Sequence, residues 1–265
     1  MNQPTTLINL ISGVIAPDAI YILGTRLKSI SSQHIFSSHT HEKTEVDQQF
    51  ILVLIPSLGN YTLLQWQERM EQQCNDWATT TTIVLETATF NHWLSMGHAF
   101  AQKVVQSAAP IYQKESISLC ALQQTNFPIE EKLQESICKD GLNKALEFYA
   151  GAELYIIRKQ YKLSMFMLHQ ATEQALSTLV KTGMGYYCCS HNIERLLRYA
   201  SWVSYSVGEL FPLKTEIDKK RFKLMQRAYI DSRYKADFTV DYRDLVIFSE
   251  KVYDLLKLLK VFREE

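Results

Sequence analysis

The chain has 265 residues, 46% of them hydrophobic and 21% charged, with 28 Lys and Arg balancing 28 Asp and Glu. That is the composition of a globular protein of one large or two ordinary domains, and it excludes disordered, collagen-like and coiled-coil chains. A net charge of zero argues against tight, sequence-independent binding along duplex DNA while leaving room for a local cationic site.

The balance is uneven along the chain. Residues 1–125 hold six cations (Arg26, Lys28, Lys43, Arg69, Lys103, Lys114) against nine acids, whereas residues 126–265 hold 22 against 19. This split predicts two domains with those bounds. Residues 1–10 show neither a basic start nor a cleavage signal, and the longest apolar run, residues 50–55, is far below the ~20 residues that span a bilayer. Five cysteines, odd in number and irregularly spaced, fit free thiols in the cytoplasm. Adjacent Cys188 and Cys189 have no second CxxC beside them, so a structural role is favoured over a metal or redox site.

Residues 19–23 (AIYIL) read as a buried strand ended by Gly24-Thr25. Residues 31–47 are rich in Ser and carry His34, His39 and His41; without a cysteine or a fixed helical spacing, a solvated hairpin or loop is favoured over a zinc site. Residues 50–55 (FILVLI), closed by Pro56, form the strongest strand signal in the chain. The apolar spacing of residues 62–78 predicts an amphipathic helix, residues 79–85 a third strand, residues 90–107 one or two helices, and residues 110–112 a short extended piece. Together these predict a small mixed sheet covered by helices.

From residue 129 onward the pattern is helical throughout. Helices are predicted over residues 129–160, with Gly141 a candidate break; over 161–180, stopped by Gly183; from an N-cap at Ser190 to about residue 201; over 214–233; and over 242–262. Short connections make these an antiparallel bundle, and the fold class is α+β. Between Lys162 and Lys181 the one formally charged residue is Glu173, a turn after His169 on the same face. A carboxylate in so apolar a helix must be paired. Two readings stay open: a His–Glu pair that fixes helix register, or a polar pocket to which another helix brings a basic partner.

Three segments carry a family resemblance: YKLSMFMLHQATEQALSTLVK at residues 161–181, Ser190-His191-Asn192-Ile193, and Asp231-Ser232-Arg233-Tyr234. Together they resemble the HEPN (higher eukaryotes and prokaryotes nucleotide-binding) domain over about residues 129–262. The resemblance implies a helical bundle, often a homodimer, that binds nucleotide or RNA and in some branches cleaves RNA without metal. The cleaving branches carry Arg and His separated by four to six residues. No histidine here has an arginine at that distance before it, so a ribonuclease is not expected.

HEPN domains often accompany a minimal nucleotidyltransferase, and residues 1–125 resemble one in outline. In that family a Gly-Ser pair cups the triphosphate, and three carboxylates on neighbouring strands hold Mg²⁺. Gly24-Thr25 matches the first feature. The strand at residues 50–55 has no aspartate, the nearest substitutes being Glu45 and Asp47; the third strand offers Thr79 to Thr82, with Glu86 at its end. Hydroxyls bind Mg²⁺ poorly compared with carboxylates. The expectation is therefore a degenerate front domain with no catalytic or metal-binding residues, and a two-domain protein that binds a nucleotide or other phosphate-bearing ligand. Arg233 and Lys235 would meet phosphate and Tyr234 would stack on a base, while His169, Glu173, His191 and Asn192 line the other wall and Gly24 and Thr25 remain from the front site. In a blander reading Arg233 pairs with Glu173 inside the bundle and His191 only caps a helix. The enzyme alternative is an active transferase using Mg²⁺ and a nucleoside triphosphate at Glu45, Asp47 and Glu86.

Overall fold

The computed structural model describes residues 3–34, 37–121, 127–188, 190–213 and 215–264, with side chains for all of these except 3, 30–34, 37–43, 127–131, 263 and 264. The chain is α+β and divides into two compact units, Met1–Gln124 and Thr125–Glu265. The side chains of His34, His39 and His41, and the whole of Cys189, lie outside the described residues.

The front unit runs α1 (Gln3–Ser12), β1 (Ala19–His34), β2 (Ser37–Ile55), α2 (Leu63–Cys74), β3 (Thr79–Glu86), α3 (Thr87–Ser95), α4 (Ala99–Ser107) and β4 (Pro110–Gln113). Its sheet has the order β3-β2-β1-β4; β1 is antiparallel to β2 and β4, and β2 is parallel to β3. The apolar run of β2 does not alternate with polar residues because both of its faces are covered. Ile51, Val53 and Ile55 share a core with Leu7 and Ile11 of α1 and with Trp66, Met70 and Cys74 of α2. Leu52 and Leu54 are also fully buried, and Phe90 of α3 meets Tyr21 at 6.4 Å between ring centroids.

Two expectations need correction. Gly24-Thr25 does not end β1: pairing continues past an irregularity between Ile22 and Gly24 down a long ribbon to His34. The Ser- and His-rich stretch belongs to that ribbon, since a two-stranded ladder satisfies backbone groups whatever the side chains are. Residues 3–12, read only for a missing export signal, form α1, whose Leu7 and Ile11 cover the sheet.

The second unit comprises α5 (Phe127–Ile157), α6 (Tyr161–Met184), α7 (Ile193–Val203), α8 (Tyr205–Leu210), α9 (Glu216–Tyr234) and α10 (Tyr242–Glu264). α6 is the central helix and packs on α5, α7, α9 and α10. It stops at Gly185, not Gly183, because Gly185 takes the left-handed conformation (φ 70°) and its N–H bonds the carbonyl of Lys181. Asn192, not Ser190, is the N-cap of α7: its Oδ1 accepts from the N–H of Arg195 at 3.1 Å, while Ser190 Oγ accepts from the N–H of Asn192. Thr215 and Asp218 close a capping box at the start of α9.

Gly141 does not break α5. It lies where α5 meets α6, and a Cβ there would overlap the side chain of Thr178. Gly151 is different, since a Cβ would make an ordinary contact 3.6 Å from Met167 Sδ. Gly141→Ala is therefore expected to destabilise the second unit by about 1–3 kcal/mol in urea titration, the usual cost of overpacking. Gly151→Ala is expected to be neutral or stabilising by up to about 1 kcal/mol, because alanine is the better helix former.

Candidate functional site

α6 buries residues on most of its circumference, among them Ser164, His169 and Thr172. Each polar group must find a partner inside the bundle. Ser164 Oγ donates to the carbonyl of Ala152 at 3.0 Å and Thr172 Oγ1 to that of Leu168 at 2.8 Å. His169 is fully buried, and its Nδ1 lies 3.0 Å from the carbonyl oxygen of Met225 on α9. A carbonyl only accepts, so Nδ1 carries the hydrogen; Nε2 lies 3.4 Å from Glu173 Oε2 and makes no hydrogen bond among the described residues.

Glu173 in turn reaches His191 in the α6–α7 connection, whose Nδ1 is 2.9 Å from Oε1. Burial pushes the Glu173 carboxyl up, but the two facing imidazoles pull it down further, and the net result lies below the ordinary carboxylate value. The helix thus keeps its one charge by wedging it between His169 on the inside and His191, 66% exposed, on the outside. With Nδ1 held on the carboxylate, His191 directs Nε2 away from Glu173.

Tyr229 of α9 joins the remaining pieces. Its ring stacks on His191 with centroids 5.0 Å apart and faces His169 at 5.3 Å. The Arg233 guanidinium sits over the same ring at 4.6 Å, with Phe166 at 5.4 Å and Tyr234 at 5.1 Å. Arg233 Nε donates to the Tyr229 carbonyl at 2.8 Å, and its two terminal nitrogens make no hydrogen bond among the described residues. Arg233 therefore does not pair with Glu173, whose partners are His169, His191 and Gln170. Tyr234 is 74% exposed. Lys235 is committed to Asp231, which also holds Arg227, at 2.9 and 2.6 Å.

Next to His191 a cleft of about 550 Å³ opens between α5, α6 and the α6–α7 connection. Lys144, Lys181, Glu173 and His191 line it with Asp140, Ser177 and Thr178. The structure so brings together five of the residues named from the sequence (His169, Glu173, His191, Arg233 and Tyr234) around the ring of Tyr229. Asn192 lies beside them as a helix cap, and Gly24 and Thr25 lie in the other unit. Tyr229, Lys144 and Lys181 were not anticipated. Tyr229 could have been found, because it precedes Arg233 by four residues on one helix.

In the front unit Gly24 and Thr25 occupy a continuous strand, paired with Phe50 and Gln49, and not a phosphate-cupping loop. The alternative metal set fails on register. Glu86 pairs with Ile55 at the far end of the parallel β2–β3 ladder, whereas Asp47 precedes its first pair, Gln48 with Thr79. Eight residues of strand separate Asp47 from that end, roughly 26 Å at about 3.3 Å per residue. Glu86 Oε1 instead accepts from the N–H of Leu58 at 2.9 Å, and the Thr82 hydroxyl is spent on Glu71 at 3.0 Å. No group of three His, Cys, Asp or Glu side chains among the described residues could hold a metal ion. The register of β2 on β3 therefore does not bring Asp47 and Glu86 together.

Residues 138–261 match the HEPN domain family, so the helical unit carries a HEPN domain, as its three segments implied. Among solved structures, the chain is similar to a nucleotidyltransferase-like protein from Exiguobacterium sibiricum 255-15, with a TM-score of 0.30 and 10% identity over 97% of this chain and 74% of that one. No curated protein matches. No described helix is long and apolar enough to cross a membrane.

The depressed Glu173 carboxyl fixes the sign of a pH effect. A group whose folded pKa lies below its unfolded value adds stability above the unfolded value and loses it as pH falls through the folded one. Glu173→Gln is expected to cost roughly 1–3 kcal/mol at pH 7, the usual worth of hydrogen bonds to a charged group. The difference from the parent should shrink as pH falls below the ordinary carboxylate range, followed by urea titration at each pH.

Proposed function

We propose that the helical unit binds a nucleotide or another phosphate-bearing small molecule, and that the protein acts as a binding module of the nucleotidyltransferase/HEPN type, not as an enzyme. The observation that carries this reading is the continuity of the site. A cleft with Lys144 and Lys181 on its walls runs up to His191, and the ring beneath His191 also holds a guanidinium whose terminal nitrogens are free among the described residues. An anion in the cleft gains from the ammonium groups of Lys144 and Lys181, which share the lining with Asp140 and Glu173, and a phosphate suits the planar fork of Arg233. The exposed face of Tyr234 beside Arg233 supplies a stacking surface for a base. Lys235 contributes less than its sequence position suggested, because Asp231 already neutralises it.

The register of the front sheet supports a silent partner unit, since its acids are spread along the sheet. The odd number and irregular spacing of the five cysteines support a cytoplasmic setting.

A thermal-shift panel of nucleoside mono-, di- and triphosphates, inorganic phosphate and inorganic pyrophosphate tests the proposal. Stabilisation without Mg²⁺ is expected, worth about 2.7 kcal/mol when the ligand is at 100 times its Kd. It should be lost in Lys181→Ala and in Arg233→Ala. A response that requires Mg²⁺, or none from any compound, would refute the proposal.

A further inference from the structure

The front unit holds a cavity of its own, of about 470 Å³, bounded by the last turn of α4, the segment that leads into β4, and Tyr21 of β1. Side chains alternate across a strand, so Ile20 and Ile22 share the core with α1 and α2, whereas Tyr21 points to the other face, where Phe90 of α3 meets its ring. An irregularity in the ladder sets its position. Ile20 pairs with Tyr112 but Tyr21 with Pro110, which leaves Ile111 as an extra residue. Bulges of this kind re-aim a side chain, and proline, having no N–H, ends the ladder there.

Tyr21 is 2% exposed and lines the cavity. Its hydroxyl has no hydrogen-bond partner among the described residues, and it is not one of the side-chain atoms that are sealed without one. The oxygen therefore keeps an opening. Burial pushes the phenol above its ordinary value with no hydrogen bond to offset the rise, so the group stays protonated at neutral pH and can donate. A nearly buried hydroxyl without a partner works against folding, and such local conflicts are what functional sites carry.

The rest of the lining limits what fits. Apart from Tyr21 it includes no ionisable side chain among the described residues, so a charged ligand would lose water without gaining a counter-ion. Val105, Gln106 and Ser107 form the last turn of α4, and their carbonyls accept no backbone hydrogen bond among the described residues. That wall carries the negative end of the helix dipole and calls for a hydrogen-bond donor, whereas Tyr21 calls for an acceptor. Ala108, Pro110 and Leu119 add apolar surface. The volume is within the range of about 300–1,000 Å³ that small-molecule sites occupy.

We propose that this cavity binds a small uncharged molecule bearing a carboxamide, whose carbonyl accepts from the Tyr21 hydroxyl and whose N–H groups donate to the last turn of α4. A carboxamide offers an acceptor and donors side by side without charge. The site is independent of the ligand proposed for the helical unit, since it lies in the front unit and includes none of Lys144, Lys181, His191 and Arg233.

Benzamide and nicotinamide, each beside its carboxylate counterpart, benzoate or nicotinate, test the proposal in saturation-transfer NMR titrations of the full chain. The two amides are expected to bind and the two acids are not. Tyr21→Phe keeps the ring and removes the oxygen; it should weaken the amides by about five- to tenfold, the worth of one neutral hydrogen bond. The same variant should leave the urea midpoint of the unliganded chain unchanged or raise it, because no bond within the protein is lost. Ala108→Leu adds bulk to the cavity wall and should abolish binding. Circular dichroism melts show whether each variant is folded; if Ala108→Leu fails that check, Tyr21→Phe still tests the contact. Failure of both amides to bind, acids that bind as well as amides, amides indifferent to Tyr21→Phe, or a urea midpoint that falls in that variant would overturn the inference.

Discussion

One carboxylate sets the terms for the helical unit. α6 is enclosed by four other helices, and a charge on such a helix costs several kcal/mol unless its surroundings solvate it. Glu173 faces two imidazoles, and each of them is fixed by something else. His169 is pinned to the backbone of α9 through Met225, and His191 is laid against Tyr229 of the same helix. The register of α9 on α6 and the course of the α6–α7 connection are therefore settled at one point. A register pair and a polar pocket, two separate readings at the level of sequence, prove to be the inner and outer ends of one arrangement. His169 serves packing, and His191 turns the same interaction toward the cleft.

The long periodic elements were legible because their signal is local. The spacing in α5, α6, α9 and α10 and the FILVLI run of β2 each need only neighbouring residues to be read, and the fold class follows from their order. What failed to show depends on contacts distant in sequence. α1 is a helix whose buried Leu7 and Ile11 matter because β2 lies beneath them. Gly141 looks like a breaker until Thr178 of α6 is placed beside it. The Ser- and His-rich stretch has no hydrophobic alternation, so the sequence left hairpin and loop both open, and the long pairing of β1 with β2 shows a hairpin.

The candidate site divides along the same line. Its charged members stood out because charge is rare in so apolar a stretch, and His169 with Glu173 at a spacing of four is a helical neighbour pair. The group that organises them is not charged. Tyr229 is one of 14 tyrosines and gives no signal by type; its spacing of four before Arg233 is a hint, and its position under His191 and Arg233 is what distinguishes it. The Met225 carbonyl belongs to the backbone and has no sequence signature at all. In the front unit the acids misled in the opposite way. Glu45, Asp47 and Glu86 stand nearest to where the resemblance implies carboxylates, and the parallel ladder between β2 and β3 carries Glu86 to the end remote from Asp47.

Net charge is a weak guide to this chain for a related reason, since what matters is which cations have already been paid for. Arg227 and Lys235 share the single carboxylate of Asp231, while Arg221 pairs with Asp244 and Lys219 with Glu216. Removing those pairs leaves Lys144, Lys181 and Arg233 around the cleft and the Tyr229 shelf, and Lys220 and Lys223 on a groove along α9. The two sets stand in different chemical company. The first shares its surroundings with hydroxyls, an imidazole and aromatic faces, which suits a small polar anion. The second flanks exposed Ile217 and half-buried Leu224. A sequence neutral as a whole can thus leave cations without a salt-bridge partner among the described residues at two places, although at the cleft Asp140 and Glu173 stand in the same lining.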